Sequence, residues 1–422
     1  MTHRAPMVLH AVDRIPEMLA ESKMESSMSR IIDLTARGPR TATGSASAQA
    51  GAGFDPFKSE SLASAGRQRG LTFTPQIAEA TAHHYERVRD VVPPVEWPAM
   101  APFIHAIETL KRERDAVVLA HNYMTPDIFA CISDIRGDSL QLAREAARTT
   151  ARTIVQAGVH FMAETSKMLN MDKTVLLPDL RAGCSLAASI TARDVALIKD
   201  AYPGIPVVTY VNTCAQVKAQ SDVCCTSSNA VQVCEWAANH WGTDTVILLP
   251  DEFLAKNVAT MTKLNIISWR GRCEVHENFS IKDIAEIRES YPGALILAHP
   301  ECPPDVVAAA DYAGSTSALA SFVQERQPRQ VVLLTECSMS DNVAIENPTV
   351  DFIRPCNLCR HMKAISLASI YDALVHMRHE ITLSEDVAQR GRTAIERMLS
   401  LPQHTARTDF AVGQPAASVR VI

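Results

Sequence analysis

The chain has 422 residues, 47% of them hydrophobic, with a formal net charge of −6. That length can bury the cores of several domains, and the acidic balance argues against nucleic acid or an anionic membrane as the main partner. No apolar run reaches the roughly 18 residues of a membrane span and no secretory h-region opens the chain, so the expected compartment is the cytoplasm.

Residues 1–95 read as an amino-terminal extension, partly disordered. From Val8 to Leu34, Leu, Ile and Met recur at loose helical spacing, but Asp13, Glu17 and Glu21 are foreign to an acid-poor transit peptide. Thr41 to Gly53 (TATGSASAQAGAG) offers no side chain able to bury a face and reads as flexible. Residues 1–70 are expected to be dispensable for activity.

A regular pattern follows. Ala116–Ala120 runs into His121 and Tyr123, Pro206–Tyr210 into Val211 and Asn212, and Ala294–Ala298 into His299 and Glu301. A second set, Val175–Asp179, Ile247–Asp251 and Val332–Glu336, follows the same logic. Short continuous apolar runs suit parallel strands buried on both faces. Helical stretches such as Ser139–Arg148 and Ile281–Glu289 lie between them, which makes βαβ units. The expected fold class is α/β: three homologous αβα parallel-sheet domains around a pseudo-threefold axis, at 96–195, 196–285 and 286–400, the last with carboxy-terminal helices, and then a tail at 401–422.

Cysteine placement gives that repeat a chemical meaning. Cys184, Cys273 and Cys359 stand 89 and 86 residues apart, each in a polar loop beside Gly, His or charged residues. One thiol per repeat can gather three thiolates around a soft metal centre with one position open. Ligands in open parallel sheets sit beyond the carboxyl ends of the strands. That collects His121, Tyr123, Tyr210, Asn212, His299 and Glu301, and the donor-rich turns Thr226–Asn229 and Gly314–Ser317 suit phosphate or carboxylate. Cys131, Cys214, Cys224, Cys225, Cys234, Cys302 and Cys337 read as small buried hydrophobes.

Cys356 and Cys359 form a C-x-x-C directly before an amphipathic helix, with Met362, Ile365, Ile370, Leu374 and Met377 expected on its buried face. A helix start there would favour the thiolate. Three readings compete: a zinc site, a thioredoxin-like dithiol, or one cluster ligand and a bystander able to pair with it. Asp138 reads as a helix-start acid and Glu164 as a solvated side chain, with a catalytic role as the alternative for each.

The segments AHNYMTPDI, GDSLQLA, FMAETSKMLN, KTVLLPDLRAGCSLA, VVTYVNT, DVCCTSSNAV, LLPDEFLAKNVA, WRGRCEVHENF, ILAHPEC, YAGSTSAL and CRHMKAISL together resemble the quinolinate synthase family, from about Val117 to Ala373. The resemblance implies three αβα domains and one [4Fe–4S] cluster held by Cys184, Cys273 and Cys359, with one iron lacking a cysteine and Cys356 not a ligand. It implies condensation of iminoaspartate with dihydroxyacetone phosphate to quinolinate in de novo NAD biosynthesis, releasing phosphate and two waters. Tyr123 and Glu301 are the implied acid/base groups, with His121 and His299 near the reacting carbons. Tyr210 and Asn212 fall near the substrate and the open iron, Ser139, Ser227, Ser315 and Thr316 at carboxylate or phosphate positions, and His276 against substrate. An L-aspartate oxidase is the candidate supplier of the imine. The amino-terminal lead is longer than is common in the family. The competing readings are an aconitase-type hydro-lyase and a zinc-stabilised binding protein.

Overall fold

A computed structural model describes residues 61–402 and 419–422. The expectations for Val8–Leu34 and Thr41–Gly53 lie outside those residues. Among the described residues the fold is α/β, with thirteen strands in three sheets in which every strand pairing is parallel.

The first sheet holds β1 (Ala116–His121), β2 (Ile135–Gly137), β3 (Thr153–Ala157) and β4 (Thr174–Leu176), in the order β2-β1-β3-β4. In the second, β5 (Val207–Tyr210), β6 (Val223–Cys225), β7 (Thr245–Leu249) and β8 (Asn265–Ser268) run β6-β5-β7-β8. In the third, β9 (Leu295–Ala298), β10 (Tyr312–Ala313), β11 (Gln330–Leu334) and β12 (Asp351–Ile353) run β10-β9-β11-β12. The order is the same each time: second, first, third, fourth. The central strands are covered on both faces, so they read as near-continuous apolar runs, with Gln156 of β3 and Thr209 of β5 among the buried polar exceptions.

The repeat extends to the loops. Each candidate ligand follows the fourth strand of its sheet, and each is succeeded by one short helical turn: Ser185–Ala188, His276–Asn278 or Met362–Ala364. A capping box then opens a longer helix, with Thr191, Ser280 and Ser366 as the N-caps. Ser139, Ser227 and Ser315 recur in the same way, two residues beyond β2, β6 and β10.

The structure adds detail to two expectations and changes two. Within the expected extension, helices Leu62–Gln68 and Pro75–Val88 are formed, and Arg69 donates to both carboxylate oxygens of Asp372, each at 2.7 Å. A cut at residue 70 would remove that pair. The expected tail ends in β13 (Arg420–Val421), which pairs with β8. The helix after the C-x-x-C starts only at Leu367, because the turn Met362–Ala364 and the Ser366 cap precede it. The second set of apolar runs is not one topological position: Ile247 and Val332 lie on third strands, but Val175 lies on the fourth.

Candidate active site

The loops beyond the strand ends line one cavity. On its wall are Cys184, Cys273 and Cys359, together with His121, Tyr123, Ser139, Tyr210, Asn212, Ser227, His276, His299, Glu301 and Thr316. Ser315 is not on that wall; its Oγ accepts from Ala318 N at 3.3 Å and caps the helix Thr316–Arg326.

A short turn follows each cysteine, and its backbone N–H groups favour the thiolate: those of Leu186 and Ala187 for Cys184, of His276 for Cys273, and of His361 and Met362 for Cys359. Burial pushes the Cys184 thiol up to about 12 and the Cys359 thiol up to about 11. Cys273 is raised by burial, then by Glu301 and Cys184. The expected lowering of Cys359 by a helix start therefore fails. There is no long helix at that thiol, and burial outweighs its two N–H donors. Three clustered thiols that resist ionising alone are suited to a cationic centre, which takes thiolates and releases their protons. The donor set fits the implied cluster: three soft sulfurs on one cavity wall, and a buried Asn212 Oδ1 without a partner on the same wall. Cys273 Sγ, His276 and Glu301 also bring ligand atoms within 4.8 Å of one another, a group able to hold a metal ion.

Residues flanking the ligands interlock. Ser185 Oγ donates to Arg272 O and accepts from Glu274 N, both at 3.1 Å. The Glu274 carboxylate pairs with Arg360 at 2.9 Å. Neighbours of all three cysteines are thus tied together.

The other wall carries acid/base groups. Glu301 is 3% exposed. Burial raises a carboxyl, but adjacent His276 and His299 and hydrogen bonds from His276 and Tyr210 outweigh it, holding Glu301 well below the usual carboxylate range. His276 Nδ1 lies 2.8 Å from Glu301 Oε2, and Tyr210 donates to Oε1. Burial, followed by the Glu301 charge, raises both Tyr123 and Tyr210. Burial lowers His121 to about 4 and His299 to about 3, so both rings are neutral near pH 7. His299 Nε2 lies 3.4 Å from Ser227 Oγ, and Asn122 Nδ2 donates to Thr316 Oγ1 at 2.9 Å.

Several residues of this site escaped the sequence reading. Thr335 Oγ1 lies 2.6 Å from the Tyr123 hydroxyl and 2.9 Å from His276 Nε2. Its neighbour Glu336 is fully buried; it pairs with Lys363 at 2.7 Å and accepts from Cys359 N at 3.4 Å. Lys218 is fully buried and donates to Val211 O at 2.7 Å and to Thr213 O, fixing the backbone on either side of Asn212. Thr335 and Glu336 end a recognised apolar run, and that position was the available signal. Lys218 had none.

The readings of Glu164 and Cys337 are corrected, and that of Asp138 holds. Glu164 is not solvated: it is 4% exposed and accepts from Ala215 N at 2.9 Å. Asp138 is the N-cap of Ser139–Arg148, as expected for a helix-start acid, and accepts from Gln141 N. Cys337 is no lone hydrophobe: it is disulfide-bonded to Cys356, with the Cα atoms 5.0 Å apart. Cys356 therefore does not pair with Cys359, whose thiol is free. Of the other six cysteines read as buried hydrophobes, five are buried and Cys214 is half-buried.

The family profile described as "Quinolinate synthetase A protein" matches residues 105–400, a span that contains every cavity residue named above. The chain belongs to this family. A protein named quinolinate synthase from Caulobacter vibrioides is 57% identical over 352 residues, covering 83% of this chain and 96% of the relative. Quinolinate synthase 1 of Mesorhizobium japonicum is 60% identical over 323 residues, covering 76% and 98%. The Xylella fastidiosa quinolinate synthase is 60% identical over 298 residues, covering 71% and 87%. Family membership makes the chain an enzyme. No helix among the described residues is long and apolar enough to cross a membrane.

Proposed function

We propose that this enzyme condenses iminoaspartate with dihydroxyacetone phosphate to give quinolinate, releasing phosphate and two waters, in the cytoplasmic synthesis of NAD. In this reading Cys184, Cys273 and Cys359 hold one [4Fe–4S] cluster near a pseudo-threefold axis, and Cys356 is not a ligand. The observation that carries the proposal is the meeting of three thiols from three repeated loops with Tyr123, Tyr210 and Glu301 on one cavity wall. When bound, the cluster supplies a Lewis-acidic iron without a cysteine, which assists the loss of hydroxyl groups.

The side chains divide the remaining work. Glu301, held anionic, takes a proton during enolisation or carbon–carbon bond formation. Tyr123, held protonated, donates to a departing oxygen. His121 and His299 are neutral and orient the reacting carbons by hydrogen bonding. Ser139, Ser227 and Thr316 line the cavity at or near the amino ends of helices, where carboxylates and phosphate are favoured, and Ser315 caps the helix that Thr316 opens. Tyr210 and Asn212 hold the substrate beside the iron, and His276 contacts it while backing Glu301. An L-aspartate oxidase would supply the unstable imine.

The test is anaerobic purification, with iron and sulfide counts and an assay for quinolinate from dihydroxyacetone phosphate and iminoaspartate generated in situ. Brown protein that forms quinolinate is the expected result. Colourless protein with stoichiometric zinc, inactive after iron–sulfide reconstitution, would establish the zinc-binding alternative. A loaded cluster that dehydrates other hydroxy acids but leaves dihydroxyacetone phosphate untouched would establish the hydro-lyase.

A further inference from the structure

Two loops on the cavity wall are built alike and held alike. His121–Met124 and His299–Cys302 stand at the ends of β1 and β9. In each, the fourth residue donates its N–H to the histidine carbonyl at 2.9 Å. The third residue, Tyr123 or Glu301, donates its N–H to the histidine Nδ1, at 3.2 and 3.3 Å. The carbonyls on either side of that third residue find one partner, a buried asparagine from another repeat. Asn342 Nδ2 donates to Asn122 O at 2.9 Å and to Met124 O at 2.7 Å. Asn257 Nδ2 donates to Pro300 O at 2.7 Å and to Cys302 O at 3.0 Å.

The two asparagines occupy one position of the repeat. Each lies eight residues past the third strand of its sheet, on the helix Glu252–Ala259 or Ser338–Glu346. The second repeat thus holds a loop of the third, and the third holds a loop of the first. In the first repeat that position is Thr165, whose hydroxyl donates to Phe161 O at 2.8 Å. Bridging two carbonyls takes two hydrogens on one nitrogen, which a hydroxyl lacks. The matching loop of the second repeat is bridged instead by its own Lys218, through Val211 O and Thr213 O on either side of Asn212. The bridging has a cost: Asn342 Oδ1 is buried without a partner among the described residues.

We propose that Asn257 and Asn342 are positioning residues of the reaction: each fixes the two carbonyls that flank one acid/base side chain, and so aims Glu301 and Tyr123 into the cavity. This assignment rests on the function proposed above and adds two residues to it. Neither amide lies on the cavity wall; each acts through the loop it holds. Leucine approximates the shape of asparagine and carries no donor, which leaves both carbonyls of a loop without their partner.

The experiment compares reconstituted wild type, Asn257→Leu and Asn342→Leu in hydrogen exchange and in steady-state quinolinate formation. Asn257→Leu is expected to speed exchange about tenfold or more in peptides covering 299–302 and to leave those covering 121–124 unchanged, and Asn342→Leu to do the reverse. Both keep the visible absorbance per chain and a KM for dihydroxyacetone phosphate within about twofold, while kcat falls about 100-fold, the scale of a small misplacement of a reacting group. Crossing them with Glu301→Gln and Tyr123→Phe separates positioning from general loosening. Asn257→Leu should add little to Glu301→Gln and multiply with Tyr123→Phe, and Asn342→Leu should do the opposite, because each amide acts only through the side chain it serves. If leucine disturbs folding, alanine takes its place in the cycles. Exchange that rises equally in both loops, loaded single variants turning over like wild type, or losses that multiply in the matched double variants would each overturn the assignment. Wild type that makes no quinolinate would instead sink the function on which the assignment rests.

Discussion

The second and third ligand loops share a backbone and differ in what their side chains do. Each places a cysteine after the fourth strand, a one-turn helix three residues on, and a serine-capped helix after that. In the second loop the residue opening the turn is His276, which reaches Glu301 and Thr335. Its counterpart in the third loop is Met362, 6% exposed and on the cavity wall without a polar role. The third loop instead carries Lys363, which bonds Glu336, Ser338 Oγ and the Tyr123 carbonyl. One repeat supplies chemistry and the other an anchor. The shared scaffold presents a thiol, and the side chains around it were free to diverge.

The sharpest way to break this comparison is at the thiols. Cys359→Ser is expected to abolish cluster binding and activity, while Cys356→Ser keeps both, as read from iron content and visible absorbance. Retention in the first variant and loss in the second would mean that the wrong thiol of the C-x-x-C has been assigned. The next effect is at the turns. His276→Phe should hold the cluster but lose roughly 100-fold or more in kcat. Met362→Leu, at the matching position of the third loop, should change volume little and leave kcat within a fewfold. Equal losses in the two would erase the division of labour.

Lys363→Met probes the anchor. It leaves Glu336, fully buried, with two backbone N–H partners among the described residues, from Cys359 and Ser338. Removing one partner of a buried ion pair costs about 3–5 kcal/mol, so a marked drop in the unfolding midpoint is expected before any change in KM. Lys363→Met with an unchanged midpoint would show that the pair holds nothing in place.

How legible was this in the sequence? The strand repeat and the three cysteines were readable because apolar runs and isolated polar thiols are local signals, and the family resemblance extended them to the substrate-facing residues. The misreadings share a cause. Val175 looks like Ile247 and Val332 because LLP and LLT runs look alike, yet strand order is set by packing across the sheet. Cys337 and Cys356 become neighbours only because β11 and β12 pair. Glu164 reads as a solvated side chain and Lys218 carries no local signal, and their burial follows from packing that involves Phe161, Val211 and Ala215. Thr335 needed three repeats to meet before its single oxygen acquired two partners.

The smallest expected effect concerns the caps that end each ligand loop. Thr191→Ala, Ser280→Ala and Ser366→Ala each remove an N-cap bond, and such losses cost about 1 kcal/mol. The three boxes are not equally wet. Thr191 and Ser280 are exposed, so water replaces the lost acceptor, whereas Ser366 is half-buried and its helix Leu367–His376 buries Leu367, Ile370 and Leu374. The N–H freed at Ser369 has less access to water, so Ser366→Ala should cost the most of the three in denaturant unfolding. All three variants should keep the cluster, because each cysteine is followed by its own short turn, which lies before the cap. Cluster loss in Ser366→Ala alone would show that the third loop, unlike the other two, depends on the following helix to hold its thiol in place.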